Sequence, residues 1–207
     1  MRAATSSLII SALLLGGCAS MNESECLTVD WRTIGFEDGV AGYSGDRIGQ
    51  HRKACAKHGV SPDLSAYSQG RDAGLREYCQ PANGFEVGSS GGGYTGICPA
   101  DLDADFAAAY ESGRELYTLE SRVSNAQNQL ASKRRELERT EDGIVNKTAI
   151  IVGGESTTEE RAQALVDTKQ LAERMGRLKA EIIELERARI EYQRDLEDYR
   201  TRVAAIR

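Results

Sequence analysis

Beyond Cys98 this 207-residue chain has no cysteine, and beyond Pro99 it has no proline. Between Tyr117 and Tyr192 it has no aromatic side chain. The C-terminal half therefore lacks the residue that breaks helices and any thiol for metal or nucleophilic chemistry. A surplus of positive charge is missing too. Against 32 acidic residues stand 26 Lys and Arg, giving a formal net charge of −6 and a pI near 5.1. That balance removes the electrostatic reason to expect nucleic acid as a partner. No apolar run after residue 18 approaches the roughly 20 residues of a membrane span.

What is present begins with a basic residue, Arg2, an apolar run over residues 8–15, and then Leu15-Gly16-Gly17-Cys18. The run is about half the length needed to cross a bilayer and has the parts of a secretory signal. Leu-Gly-Gly-Cys resembles the lipobox of bacterial lipoproteins. That resemblance implies removal of residues 1–17 and acylation of Cys18, a covalent lipid and not a cofactor. Each buried methylene of such chains contributes ~0.8 kcal/mol, so more than one chain anchors durably. Ala19 stands where an Asp commonly retains such proteins in the inner membrane. The expected place is therefore the outer membrane, lipid-anchored and periplasm-facing, with residues 18–25 as a tether.

Four cysteines remain after Cys18: Cys26, Cys55, Cys79 and Cys98. In an oxidising compartment an even number reads as two disulfides. They mark a stapled domain over residues 26–100, a size at which a hydrophobic core alone is marginal. Cap and stop residues predict helices over 31–42, 44–58 and 62–79, the last opened by Ser61-Pro62-Asp63. The glycine-rich stretch 83–96 is expected to be loop, and Pro99-Ala-Asp101 to open the next helix. If the three helices run up, down and up, Cys26 lies beside the end of the second, where Cys55 is. Cys79 and Cys98 then flank the glycine stretch. The expected pairs are Cys26–Cys55 and Cys79–Cys98.

An internal repeat runs through this domain. Tyr67-x-x-Gly70-Arg71 and Tyr110-x-x-Gly113-Arg114 share a core, and Gly35-x-x-x-Gly39 echoes Gly70-x-x-x-Gly74. Glycines four apart share one helix face and admit a second backbone. We expect helices crossing there, with Trp31, Phe36, Tyr43, Tyr67, Tyr78 and Tyr94 filling between them. The functional alternative is a ligand groove for a glycan or peptide made by Trp31, Tyr67, Arg71, Tyr110 and Arg114.

Five motifs follow in order: Asp30-Trp31-x-x-Ile34-Gly35, Asp38-Gly39-x-x-Gly42, Arg47-x-x-x-His51-x-x-x-Cys55, Tyr67-x-x-Gly70-Arg71-x-x-Gly74-Leu75-x-x-Tyr78-Cys79 and Tyr94-x-Gly96-x-Cys98-Pro99. Together they resemble an uncharacterised family of short bacterial lipoproteins, domain of unknown function 2799, over about residues 26–117. The resemblance implies no known reaction.

Catalytic and metal chemistry find little footing. His51, Cys55 and His58 share a helix face and could ligate zinc with Cys79 or Cys98, but disulfide formation removes the thiolates. The same objection meets a Cys–His nucleophile. The glycine stretch has no Lys-Ser/Thr after it, so it is no phosphate loop. Asp30, Asp38, Asp46, Asp63 and Asp72 show no pairing logic, and three of them stand where helix caps belong. No catalytic residue, metal or cofactor is expected.

From residue 101 the pattern is a long helix. Leu116, Val123, Leu130, Leu137 and Ile144 recur every seven residues, with Leu119 and Ala126 beside them and interruptions at Lys133 and Thr140. Thr157-x-x-Glu160 is a capping box that opens a second arm. Leu171, Met175, Leu178, Ile182, Leu185, Tyr192, Leu196, Tyr199, Val203 and Ile206 form its seam, with Arg189 as the exception. Residues 101–207 are thus expected to form an antiparallel coiled-coil hairpin with its tip at 142–156. Ile150, Ile151 and Val152 make an apolar run at that tip, a candidate contact for an envelope partner. The fold expected is all-α, a small disulfide-stapled helical domain followed by this hairpin. The function expected is non-enzymatic: a structural or partner-binding lipoprotein, membrane-held through its lipid, with self-association through the coiled coil as one mode.

Overall fold

The computed structural model describes residues 21–204. Those residues are all helical apart from their connections. In order come α1 (Glu23–Thr28), α2 (Trp31–Val40), α3 (Arg47–Ala56), α4 (Leu64–Tyr78), α5 (Pro81–Ser89), α6 (Ala100–Val152) and α7 (Thr158–Ala204). Packing divides them into two interleaved units. One is the described part of Met1–Gln80 with Gly96–Asp103; the other is Pro81–Thr95 with Ala104–Arg207. Composition changes near residue 100, but the stretch Pro81–Thr95 packs with the second unit.

In the first unit α2 and α4 run parallel with their backbones in contact. A Cβ on Gly35 would overlap the carbonyl of Tyr67, one on Gly39 that of Arg71, and one on Gly74 that of Phe36. Only glycine permits that approach. Around the pair sits a small core of Cys26, Trp31, Cys55 and Tyr67, with Met21, Val29, Ile34, Ile48, Val60 and Ala66 against it. Cys26 pairs with Cys55, their Cα atoms 5.5 Å apart, and Cys79 with Cys98 at 5.7 Å. These are the two pairs that helix direction favours.

Local caps differ from expectation in detail. Asp63, not Ser61, caps α4 by accepting from the Ala66 amide, and Asp30 caps α2 through Arg32. Asp46 precedes α3 without a side-chain cap bond. The tether read as 18–25 already turns helical in α1, where Asn22 and Glu25 form a capping box.

The second unit repeats the glycine pair. Residues 81–89 form α5, although 83–96 is expected to be loop, and α5 runs parallel to the start of α6. A Cβ on Gly88 would meet the Tyr110 carbonyl, and one on Gly113 the Phe85 carbonyl. The loop expectation failed because glycine was counted as a breaker, whereas Gly84 and Gly88 are buried on a packed face. Gly35-Phe36-Glu37-Asp38-Gly39-x-x-Gly42 corresponds to Gly84-Phe85-Glu86-Val87-Gly88-x-x-Gly91. Gly42 and Gly91, at φ 72° and 80°, end the two helices in the same way, each against a tyrosine ring, Tyr78 and Tyr117. On the partner helices of the repeat, Tyr67, Gly74 and Tyr78 of α4 therefore match Phe106, Gly113 and Tyr117 of α6. That is one helical turn away from the Tyr-x-x-Gly-Arg alignment expected from sequence.

Beyond the pair, α6 and α7 form the hairpin. Lys147 meets Asp167 at 2.7 Å, Glu136 meets Arg174 at 2.7 Å, Lys133 meets Glu181 at 2.6 Å, and Glu120 meets Arg200 at 2.7 Å. As one partner's number rises the other's falls, which fixes antiparallel pairing within the chain. At 1.5 Å per residue the arms are about 80 and 70 Å long. Ala126, Leu130, Ala164, Leu178, Leu196 and Tyr199 are buried along the seam. At the two expected interruptions the side chains are engaged. Thr140 is buried and its hydroxyl donates to the Glu136 carbonyl at 2.8 Å. Lys133 reaches across to Glu181. The connection between the arms is 153–157, shorter than the expected tip, so Ile150, Ile151 and Val152 belong to the last turn of α6.

Candidate functional site

The most concentrated chemistry among the described residues is a cluster the sequence reading missed. Asp38, on the α2 face turned toward α3 and α4, is 7% exposed. Its Oδ2 accepts from the Tyr67 hydroxyl at 2.7 Å and lies 2.8 Å from His51 Nε2. Arg47 Nε stands 3.8 Å from Oδ1. The imidazole ring packs between Trp31 and Tyr67, with centroids 6.4 and 6.1 Å away. Burial, then the hydrogen bond to Asp38, pushes the Tyr67 hydroxyl well above the ordinary tyrosine range. Arg47 also lies over the Tyr43 ring at 4.4 Å, and Arg71 donates twice to the Tyr43 carbonyl.

A carboxylate–imidazole pair becomes a catalytic device when a nucleophile stands on its far side. Here Tyr67 is already bonded to Asp38, Cys55 is in a disulfide, and the pair is enclosed by rings. The arrangement joins α2, α3 and α4 through one buried carboxyl group. The signal is legible in part: the four-residue spacing puts Arg47 and His51 on one helix face. Their acceptor, thirteen residues before His51, has no periodic relation to them.

Of the residues expected to line a groove, Trp31, Tyr67 and Arg71 lie in the first unit and Tyr110 and Arg114 in the second. Trp31 and Tyr67 are 9% and 2% exposed and fill the first unit. Tyr110 and Arg114 belong to the second unit, where the Tyr110 hydroxyl donates to the Gly92 carbonyl and Arg114 lies 6.0 Å from the Tyr117 ring. The packing expectation needs correction. Phe36 and Tyr43, expected between helices, are 42% and 45% exposed. Tyr94 does pack, 4.7 Å from the Phe106 centroid.

Cys55 is bonded to Cys26 and so offers His51 and His58 no thiolate. No cluster of metal-binding side chains occurs among the described residues, and no described helix is long and apolar enough to cross a membrane. An apolar recess of about 700 Å³ lies in the second unit beside Pro81, Phe85, Ala108, Ala109 and Val203. At the hairpin tip Ile150 lines a recess of about 400 Å³ with Lys147, Glu155 and Ala164, while Val152 is 77% exposed. Cys18 and its lipobox lie outside the described residues.

The described residues thus define an all-α protein in which two glycine-packed helix pairs precede a long hairpin. Residues 30–115 match the family model described as Protein of unknown function (DUF2799). The matched segment opens at the cap of α2 and closes just after Gly113, so it spans both glycine-packed pairs and leaves most of the hairpin outside. No curated protein and no solved structure matches the chain.

Proposed function

We propose that this protein is a non-enzymatic lipoprotein of the bacterial envelope, anchored in the outer membrane through lipid on Cys18 and facing the periplasm. In this reading the hairpin presents a partner-binding surface. The observation that carries it is the hairpin itself. Two arms of about 70–80 Å close on each other through cross-helix ion pairs and a thin apolar seam. Such an element offers reach and association, and several of its ionisable groups pair across the two arms. The glycan or peptide groove is the weaker reading, since Trp31 and Tyr67 are buried in packing. No nucleic acid is proposed, in keeping with the net charge of −6.

The anchor is tested by Cys18→Ser. Incorporation of labelled palmitate should disappear, and the chain should keep its signal or leave the membrane fraction. Unchanged labelling and fractionation in that variant would overturn the proposal.

A further inference from the structure

Helix α3 is out of keeping with the rest of the chain. It reads Arg47-Ile48-Gly49-Gln50-His51-Arg52-Lys53-Ala54-Cys55-Ala56, followed by Lys57, with no acid among those residues. At 100° per residue its sides separate cleanly. Ile48, His51 and Cys55 turn toward Trp31, Asp38 and Cys26. Lys53 and Lys57 point the opposite way, with Arg52 on the flank. All three cations are exposed. In the hairpin, Lys133, Arg134, Lys147, Arg174, Lys179 and Arg200 each lie within ion-pair distance of a carboxylate. Among the described residues no carboxylate does this for Arg52, Lys53 or Lys57. Of the acids around α3, Asp38 is engaged by His51 and Tyr67, Glu25 by its capping box, and Glu23 lies 3.9 Å from His58; Asp46 precedes the helix at its N-terminus.

Position in the chain supplies the second observation. The Cys26–Cys55 bridge ties α3 to α1, which is the first described element after Cys18. Only four residue steps separate Cys18 from Asn22, a reach of at most about 15 Å for any backbone. If Cys18 sits at the lipid surface, so short a tether lets the basic side of α3 come within the range over which an anionic leaflet attracts Lys and Arg.

We propose that the outward side of α3, through Arg52, Lys53 and Lys57, docks on anionic phospholipid headgroups of the membrane that carries the anchor. The lipid then provides the tether, and α3 fixes which side of the first unit faces the bilayer. The disulfide and the Asp38–His51 contact hold the helix in place for that purpose. This inference rests on anchorage at Cys18, and its test separates the two.

The acylated mature protein is reconstituted into vesicles of phosphatidylcholine alone, or with about one third phosphatidylglycerol. Flotation reports the anchor. In the floated protein, acetylation of Lys53 and Lys57 is followed by peptide mass spectrometry. Labelling of both is expected to slow several-fold on the anionic vesicles, with the difference vanishing in 1 M salt, where the screening length is about 3 Å. Arg52→Gln should weaken the protection while leaving flotation unchanged. Equal labelling on both vesicles would overturn the docking site with the anchor intact. Protection by dissolved glycerophosphate on neutral vesicles would assign the cations to a soluble anion and also overturn it. Failure to float with either vesicle would overturn the anchor.

Discussion

The Tyr67 hydroxyl donates to Asp38 at 2.7 Å in the first helix pair, and the corresponding positions of the second pair hold Phe106 and Val87. Donor and acceptor are replaced together by apolar side chains, and Phe106 is fully buried. The repeated scaffold therefore packs with or without the polar pair. What differs is the neighbour: α3 brings His51 and Arg47 to the first pair.

That comparison gives a double-mutant prediction. Asp38→Val alone leaves the Tyr67 hydroxyl buried without an acceptor and should cost about 2–3 kcal/mol. Adding Tyr67→Phe should recover about 1 kcal/mol, since the orphaned hydroxyl is gone. The chain has one tryptophan, Trp31, inside this unit, so urea unfolding followed by its fluorescence reads the effect locally. Strict additivity of the two losses would show that the residues are not coupled.

Glycine substitutions should divide sharply by location. Gly35→Ala and Gly74→Ala place a methyl onto the Tyr67 and Phe36 carbonyls, and separating two backbones should cost about 3 kcal/mol or more. Gly49→Ala, in α3, has open space around it and should stabilise by about 0.5–1 kcal/mol. Thermal melts of the three variants check this. Similar small effects at all three positions would show that α2 and α4 can move apart freely.

These glycines also show how far the sequence could be read. The hairpin was legible because a seven-residue repeat and the Thr157–Glu160 box are local signals, and Thr157 and Glu160 do cap each other. The disulfide pairs followed from helix direction. α5 was not legible, because a glycine that breaks an isolated helix and one that seats a neighbouring backbone look alike until the neighbour is known. The repeat was seen but set one turn off, since Tyr67 and Tyr110 match by residue type while Tyr67 and Phe106 match by packing. The Asp38 cluster joins three helices, and no periodicity spans them.

Alkaline pH should weaken the first unit through Tyr67. Burial and the bond to Asp38 hold its hydroxyl's pKa above the ordinary 10.0. The folded chain therefore keeps this proton more tightly than the unfolded chain does. The stabilisation is complete below about pH 10 and is lost as pH rises toward the folded value. Tyr78, also raised by burial, adds to the same trend. The urea midpoint read from Trp31 should fall above about pH 10, and Tyr67→Phe should fall less steeply. Parallel declines would place the titrating group elsewhere.

The last prediction concerns the hairpin tip. The connection satisfies itself: Arg161 donates to the Gly153 carbonyl at 2.7 Å, and Thr157 and Glu160 close the start of α7. Ile150, Ile151 and Val152 are thus not needed to cover loose backbone polar groups, and Val152 is 77% exposed on a turn that is otherwise complete. A partner closing over the run would gain up to about 2–3 kcal/mol for each side chain it fully buries. Replacing all three by Ser should leave helical circular dichroism and membrane fractionation unchanged and remove a crosslink formed in intact cells from a photoreactive residue at position 154. Ile150→Ser alone, within the recess beside Ala164, should lower the melting temperature slightly with the crosslink retained. Loss of helical signal in the triple variant would make the run a cap for the hairpin's own end, and an undiminished crosslink would place the partner's contact elsewhere on the arms.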